Sequence, residues 1–275
     1  MFRAIKASLQ RKIARRITKE YPPVISTYHL KNDGDFEFAN WSNPLISHRV
    51  INQEMVDFFK QFVSIGDLAI DIGANIGDTT VPIALAAGAS GLTLGFDPNP
   101  LVFKILASNA TLNEDKQRII AYPYAISVEE EEFYFISSDA SYTNGGISQT
   151  EKSVHGKYVY PEKIKGVNLV KFLEAHHASW IPKLSFLKVD AEGYDKEILK
   201  SIPELIARCK PVIVAESFAG NTDEEKMELW DVLHGHGYEI SAFYEFDVNE
   251  KPIPLHCRED MTRFKKTHNV YARPV

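Results

Sequence analysis

With 275 residues and a mass of 31.1 kDa, the chain is long enough for one large domain with decoration, or for a domain plus a small subdomain. Its 44% apolar and 25% charged residues are ordinary for a globular protein, and a formal charge of −6 argues against nucleic acid as a general partner. Two cysteines, Cys209 and Cys257, are too few for a disulfide framework or a cysteine zinc site; they fit a reducing, cytoplasmic setting, and no apolar run approaches the roughly 20 residues that cross a bilayer.

The first twenty residues stand apart. Arg3, Lys6, Arg11, Lys12, Arg15, Arg16 and Lys19 face only Glu20, while Phe2, Ile5, Leu9, Ile13 and Ile17 recur at helical spacing. The pattern predicts a basic amphipathic helix over residues 1–20. It lacks the apolar core and cleavage site of a secretory signal, though its Arg-rich, acid-poor composition also resembles a transit peptide. Such a helix packs on the body or on a second subunit of a homo-oligomer, or makes peripheral contact with an anionic membrane. Turn-rich residues 21–49 complete an N-terminal cap region, 1–49, read as irregular or short-stranded. Residues 50–275 form the main domain.

Val50 to Val63 returns to helical periodicity, with Met55, Phe58, Phe59 and Phe62 on one side. A buried strand, Leu68 to Ile72, then ends in Asp71-Ile72-Gly73-Ala74-Asn75-Ile76-Gly77 and enters a helix. The strand-turn-helix order repeats. Leu92 to Phe96 ends in Asp97-Pro98-Asn99-Pro100 before helix 101–112, and strand 119–122 runs on to Ala125-Ile126. From 128 to 166 the rhythm breaks into a polar, aromatic insertion, read as a lid or acceptor-binding loop. Helix 167–177, strand 184–190, a helical stretch bent at Pro203, strand 211–215, helix 223–234 and a closing pair of strands follow. Alternating segments of this length predict a doubly wound α/β sheet with right-handed crossovers.

In an open α/β sheet, ligands bind outside the carboxyl ends of the strands. Here those ends carry Asp71, Asp97, Asp190 with Glu192, and Glu216. Gly73 and Gly77 allow close approach of a ligand, Asn75 completes the loop, and Asp78 and Thr79 suit an N-cap. A helix start with free N–H groups welcomes a carboxylate, and Asp71 is placed for an ammonium. A loop receiving both charges of an amino acid suits the methionine end of S-adenosylmethionine. The dinucleotide fingerprint fits less well, because Asn75 and Asp78 stand where glycines are required, so an NAD-linked oxidoreductase is the competing reading. A non-catalytic nucleoside-binding or membrane-associated protein is the third.

Asp97, 26 residues after Asp71, is placed to accept from both ribose hydroxyls, with Pro98, Asn99, Ala125 and Ile126 bracketing the adenine. Lys188 and Asp190 alternate onto one face of an otherwise apolar strand, and with Glu192 they form a polar cluster for the acceptor. An alcohol acceptor needs its proton removed; Asp190, Glu192 and the histidines His155, His256 and His268 are the bases considered. Asp190 and Glu216 also offer oxygen ligands to a divalent cation, while no spacing supports zinc.

Together these pieces resemble the FkbM family of S-adenosylmethionine-dependent methyltransferases. The resemblance rests on Asp71-Ile-Gly-Ala-Asn-Ile-Gly77, Phe96-Asp-Pro-Asn-Pro100, Asn109, Asn113, Leu187-Lys-Val-Asp-Ala-Glu-Gly193 and Pro211-Val-Ile-Val-Ala-Glu216. It spans roughly residues 50 to 245. It implies a class I methyltransferase fold, a Rossmann-like seven-stranded sheet whose last strand is antiparallel, and O-methylation of a hydroxyl on a glycan or secondary metabolite. Asp190, Glu192, Lys188 and Glu216 would then be the catalytic set.

Overall fold

The computed structural model describes residues 2–275, with side chains from residue 5 onward. Helix α1 (Phe2–Ala14) opens the chain. It is shorter than expected: one further turn carries the Ile17 N–H to the Ile13 carbonyl at 2.9 Å, and the helix goes no further. The side chains of Phe2 and Arg3, part of the sequence pattern, lie outside the described residues. Strands β1 (Pro23–Leu30) and β2 (Gly34–Trp41) form an eight-residue antiparallel hairpin, more regular than the turn-rich composition suggested. The reason lies in β2, where Phe36, Phe38 and Trp41 are buried.

Helix α2 (Gln53–Lys60) starts at Asn52, whose side chain accepts from the Met55 N–H. It buries Phe58 and Phe59 against Phe186 and Phe243 on one face of the main sheet. Strand β3 (Leu68–Ile72), helix α3 (Thr80–Ala87), strand β4 (Leu92–Phe96), helix α4 (Pro100–Ala110) and strand β5 (Ile119–Tyr122) follow as parallel β-α-β units. The α4 start has an Asn99 cap and a proline in its first turn, both favourable there. Asn109 and Asn113 brace the hairpin. Asn109 accepts from the Ala39 N–H at 2.7 Å and donates to the carbonyls of Ala39 and Ile76, while Asn113 makes the same two-way contact with Glu37. The hairpin is thereby fixed to α4 and to the loop after β3.

Ala125-Ile126 does not prolong β5. It forms β6 (Ala125–Ile126) of a second, five-stranded sheet with β7 (Glu131–Ser137), β8 (Gly146–Ser148), β9 (Tyr158–Val159) and β10 (Ile164–Val167). The insertion is therefore a small sheet, and Val167 belongs to its last strand. Helix α5 (Leu169–His176) leads to β11 (Leu184–Val189), α6 (Asp195–Lys200) and α7 (Pro203–Cys209), the break falling at Pro203 as expected. Strand β12 (Val212–Ser217), helix α8 (Asp223–Gly235) with its Thr222–Glu225 capping box, and strands β13 (Tyr238–Phe243), β14 (Ile253–Leu255) and β15 (His268–Pro274) complete the chain.

The main sheet runs β14-β13-β15-β12-β11-β3-β4-β5. It has eight strands rather than seven, short β14 being added at the edge beside β13. The last strand, β15, is antiparallel to both neighbours, as expected. The order reverses between β3 and β11, which opens a crevice at their carboxyl ends.

Candidate active site

A cavity of about 850 Å³ occupies that crevice, within the range of small-molecule sites. One wall is apolar, from Phe96, Val102, Tyr124, Ala125 and Ile126; the opposite wall is acidic, from Asp190, Glu192 and Glu216, with Asp78 and Asp97 between. The insertion contributes Thr143 to Ile147, and Tyr194, Tyr244 and Phe246 rim the acidic side.

The loop after β3 departs from expectation. Its N–H groups are already engaged: Gly73 and Ala74 donate to the Phe96 carbonyl, Asn75 to Asp97 Oδ2, Ile76 to Asn75 Oδ1 and Gly77 to the Ala74 carbonyl. Gly73 has φ +73°, and a Cβ there would lie 1.8 Å from the Asp190 carbonyl oxygen. The meeting of two strand ends accounts for the glycine, and Gly73, like Asn75, Asp78 and Thr79, lines the cavity. Gly77 (φ +96°) faces Leu106 and Asn109 of α4 and does not line the cavity. Thr79 precedes α3 but makes no side-chain cap; its hydroxyl donates instead to Asp71.

Asp71 is the largest correction. It is completely buried and absent from the cavity wall, so it does not await an ammonium. One carboxylate oxygen accepts from the hydroxyls of Thr79 and Thr80 at 2.8 and 2.7 Å, and the other pairs with Lys188 Nζ at 3.1 Å. Lys188, 2% exposed, also lies 3.3 Å from Asp190. Burial alone would lower its pKa, but the Asp71 and Asp190 carboxylates outweigh that and hold it above the ordinary lysine value. Lys188 is a fixed cation and cannot serve as a base.

Asp97 does stand at the cavity, at the tip of β4. Its oxygens accept from the N–H groups of Asn75 (2.7 Å) and Asn99 (2.9 Å), and burial pushes its pKa up to about 7 despite those bonds. Asn99 is committed elsewhere: its oxygen caps α4 and its amide donates to the Tyr142 carbonyl at 2.7 Å, tying the insertion to the helix. Pro98, Asn99, Ala125 and Ile126 line the cavity. Asn75 is exposed at φ 49°, and Asp78 pairs with Arg49 at 3.1 Å.

At the other side of the crevice Glu216 lacks such partners. Glu216 Oε2 is buried with no hydrogen-bond partner among the described residues. Burial, then the charges of Asp190, Asp195 and Glu192, push the Glu216 pKa up to about 8. Glu192 (φ 51°) is raised by burial and by Asp190. Behind them is a residue that sequence reading missed. Asp195 is 2% exposed, accepts from the N–H groups of Ala191 (3.3 Å) and Glu216 (3.0 Å), and has its pKa pushed to about 7 by burial. It clasps the ends of β11 and β12 together. Its only sequence signal is an acid in the first turn of α6.

Arg49 is the second omission; beside buried Lys188 and the imidazole of His48, it is the basic side chain on the cavity wall. His155, His256 and His268 do not line the cavity. Among the described residues, no three His, Cys, Asp or Glu side chains converge as a metal site, so the Asp190–Glu216 pair gains no third ligand.

The chain matches the family described as "Methyltransferase FkbM domain" over residues 71–240. No curated protein matches it. Among solved structures it is similar to the methyltransferase FkbM of Methylobacillus flagellatus KT, at 14% identity and TM-score 0.46, over 77% of this chain and 44% of that one. It thus spans less than half the length of that relative. It is also similar to a SAM-dependent O-methyltransferase of Thermotoga maritima, at 15% identity and TM-score 0.44, over 92% and 78% of the two chains. A putative rRNA-methylase of Clostridium thermocellum aligns at 12% identity and TM-score 0.43, over 80% and 93%.

Proposed function

This chain belongs to the FkbM methyltransferase family, and from that premise we propose that it O-methylates a hydroxyl of a glycan or secondary metabolite, with S-adenosylmethionine as donor. The cavity fits such a donor. Its apolar wall suits a purine, Asp97 stands where ribose hydroxyls are gripped, and the acidic wall complements a sulfonium and an ammonium. S-adenosylmethionine supplies an electrophilic methyl group; positioning by this chain's residues does most of the remainder.

The observation that carries the reading is Glu216. Its unpartnered oxygen and its pKa of about 8 leave it poised to accept a proton from an acceptor hydroxyl, because a base works best with a pKa near the operating pH. Asp190 and Glu192 orient that hydroxyl, Lys188 fixes Asp190, and Asp195 holds the Glu216 backbone. With the N–H groups of residues 73–77 engaged, the carboxylate of the donor's amino-acid end falls to Arg49 and the start of α3. Exposed Tyr194 and Tyr244 offer faces on which a sugar ring stacks, and the insertion serves as a lid on that side. The NAD-linked reading loses its ground with the family match.

The test is calorimetry with S-adenosylhomocysteine and with NAD, followed by a labelled-methyl assay across glycan and small-molecule hydroxyls with mass spectrometry of the product. Binding of the homocysteine nucleoside and label on oxygen are expected. Tight NAD binding alone, or label on nitrogen, would contradict the proposal.

A further inference from the structure

Helix α1 is folded with Ile5, Leu9 and Ile13 outward. Ala14 is fully buried, and Ala7 and Ser8 are partly covered. The stripe Ile5, Leu9, Ile13 and Ile17 is 60%, 57%, 41% and 58% exposed. Four such side chains at helical spacing, all turned from the core, are not the scatter of single apolar residues that surfaces normally carry.

The helix is nonetheless anchored at one end. The Ser141 hydroxyl donates to the Ala14 carbonyl at 2.6 Å, and the Ala140 N–H donates to the Arg15 carbonyl at 3.2 Å. Among the described residues, no strand or other helix packs broadly against it. Its anchor residues Ala140 and Ser141 are followed in the chain by Thr143 to Ile147, which line the cavity.

Charge selects the occupant of this face. Lys6 and Lys12 flank the stripe, and Arg15, Arg16 and Lys19 follow at its root, all exposed. Residues 1–20 hold seven basic side chains against one acid, which leaves 24 basic against 36 acidic for the rest of the chain. A second copy packed helix to helix would bring two such basic faces together, and like charges would repel. A nucleic-acid backbone would satisfy the lysines and arginines but leave the isoleucine stripe in water. An anionic bilayer receives both, with acyl chains under the stripe and headgroups beside the bases. The acidic body would be held off the same surface, which orients the molecule.

We propose that α1 and the turn after it are a peripheral docking element for anionic membranes. It lies in the interface and carries the insertion, and with it the mouth of the cavity, beside the lipid surface.

The full chain is tested by co-sedimentation with phosphatidylcholine vesicles with and without phosphatidylserine. Binding to the anionic vesicles that weakens as salt rises is expected. Two variant sets separate the contributions: Lys6→Gln with Lys12→Gln and Arg16→Gln, and Ile5→Ser with Leu9→Ser and Ile13→Ser. The first set should weaken binding by about a hundredfold, and the second should abolish it. Both should leave S-adenosylhomocysteine affinity unchanged, which shows that the fold survives. The proposal is overturned if the wild-type chain ignores anionic vesicles, binds neutral ones equally well, or binds no better than both variants. It is also overturned if the stripe instead mediates dimerisation in sedimentation velocity, or salt-sensitive retention of RNA, without vesicle binding.

Discussion

Asp71 and Asp97 on one side of the crevice and Glu216 on the other live in opposite circumstances. On the β3–β4 side, Asp71 has two hydroxyls and an ammonium on its oxygens and Asp97 has two backbone N–H groups. On the β11–β12 side, Glu216 keeps one buried oxygen unpartnered, and three neighbouring acids push against its charge. The difference separates carboxylates that build the site from the one left with chemistry to do. An acid at a strand tip says little by its position; the number of donors aimed at it says more.

The sharpest way to break this contrast is to remove the cation that completes Asp71. Lys188→Met should destabilise the fold by about 3–5 kcal/mol, because it leaves a buried carboxylate unpaired. A melting curve at neutral pH reads this out, and a change under about 1 kcal/mol would mean that the Lys188–Asp71 pair does not hold the fold. Glu216→Gln should do the reverse, lowering turnover by about 10²–10⁴-fold while leaving the fold as stable as before or more so. Loss of stability with unchanged turnover would place Glu216 among the structural acids instead.

Asp97→Ala comes next. It should weaken S-adenosylhomocysteine binding by about 1–3 kcal/mol through lost ribose hydrogen bonds, measured by calorimetry. Arg49→Ala should weaken it by about tenfold, the scale of one exposed charge-assisted contact; equal affinity would send the donor's carboxylate elsewhere.

The pH dependence sharpens the comparison from a different direction. Asp97 and Asp195 at about 7, and Glu216 at about 8, hold protons in the folded chain that an unfolded carboxylate releases near pH 4. Between those limits the native state binds more protons than the unfolded one, so stability falls as pH rises from about 4 to 8 and levels off above. Melting temperatures at pH 6 should exceed those at pH 9. Methyl transfer should run the other way, rising with pH through the ionisation of Glu216 near 8, with coupled acids broadening the curve.

Local pattern carried the β-α-β rhythm, the acids at four strand tips and the apolar bracket of Ala125-Ile126, because each depends on residues close in the chain. What stayed illegible was who reaches across. Lys188 comes to Asp71 from 117 residues further on, and nothing around Asp71 announces it. The Gly73 loop reads as a ligand cradle because its glycines permit close approach, yet the close neighbour is the Asp190 carbonyl. Asp195 looks like an ordinary first-turn acid, and Arg49 lies in the cap region before the recognisable motifs. Edge strand β14 is three residues long, too short to announce itself beside turn signals. The hairpin that buries Phe36, Phe38 and Trp41 is braced by Asn109 and Asn113, some 70 residues away.

A crystal structure with S-adenosylhomocysteine tests the central claim most directly. The ribose should lie on Asp97, the adenine between Pro98 and Ile126, and the sulfur should face Glu216 across an acceptor-sized gap. A nucleoside bound outside this crevice, or a sulfur turned toward Asp71 with Glu216 remote from it, would contradict the account.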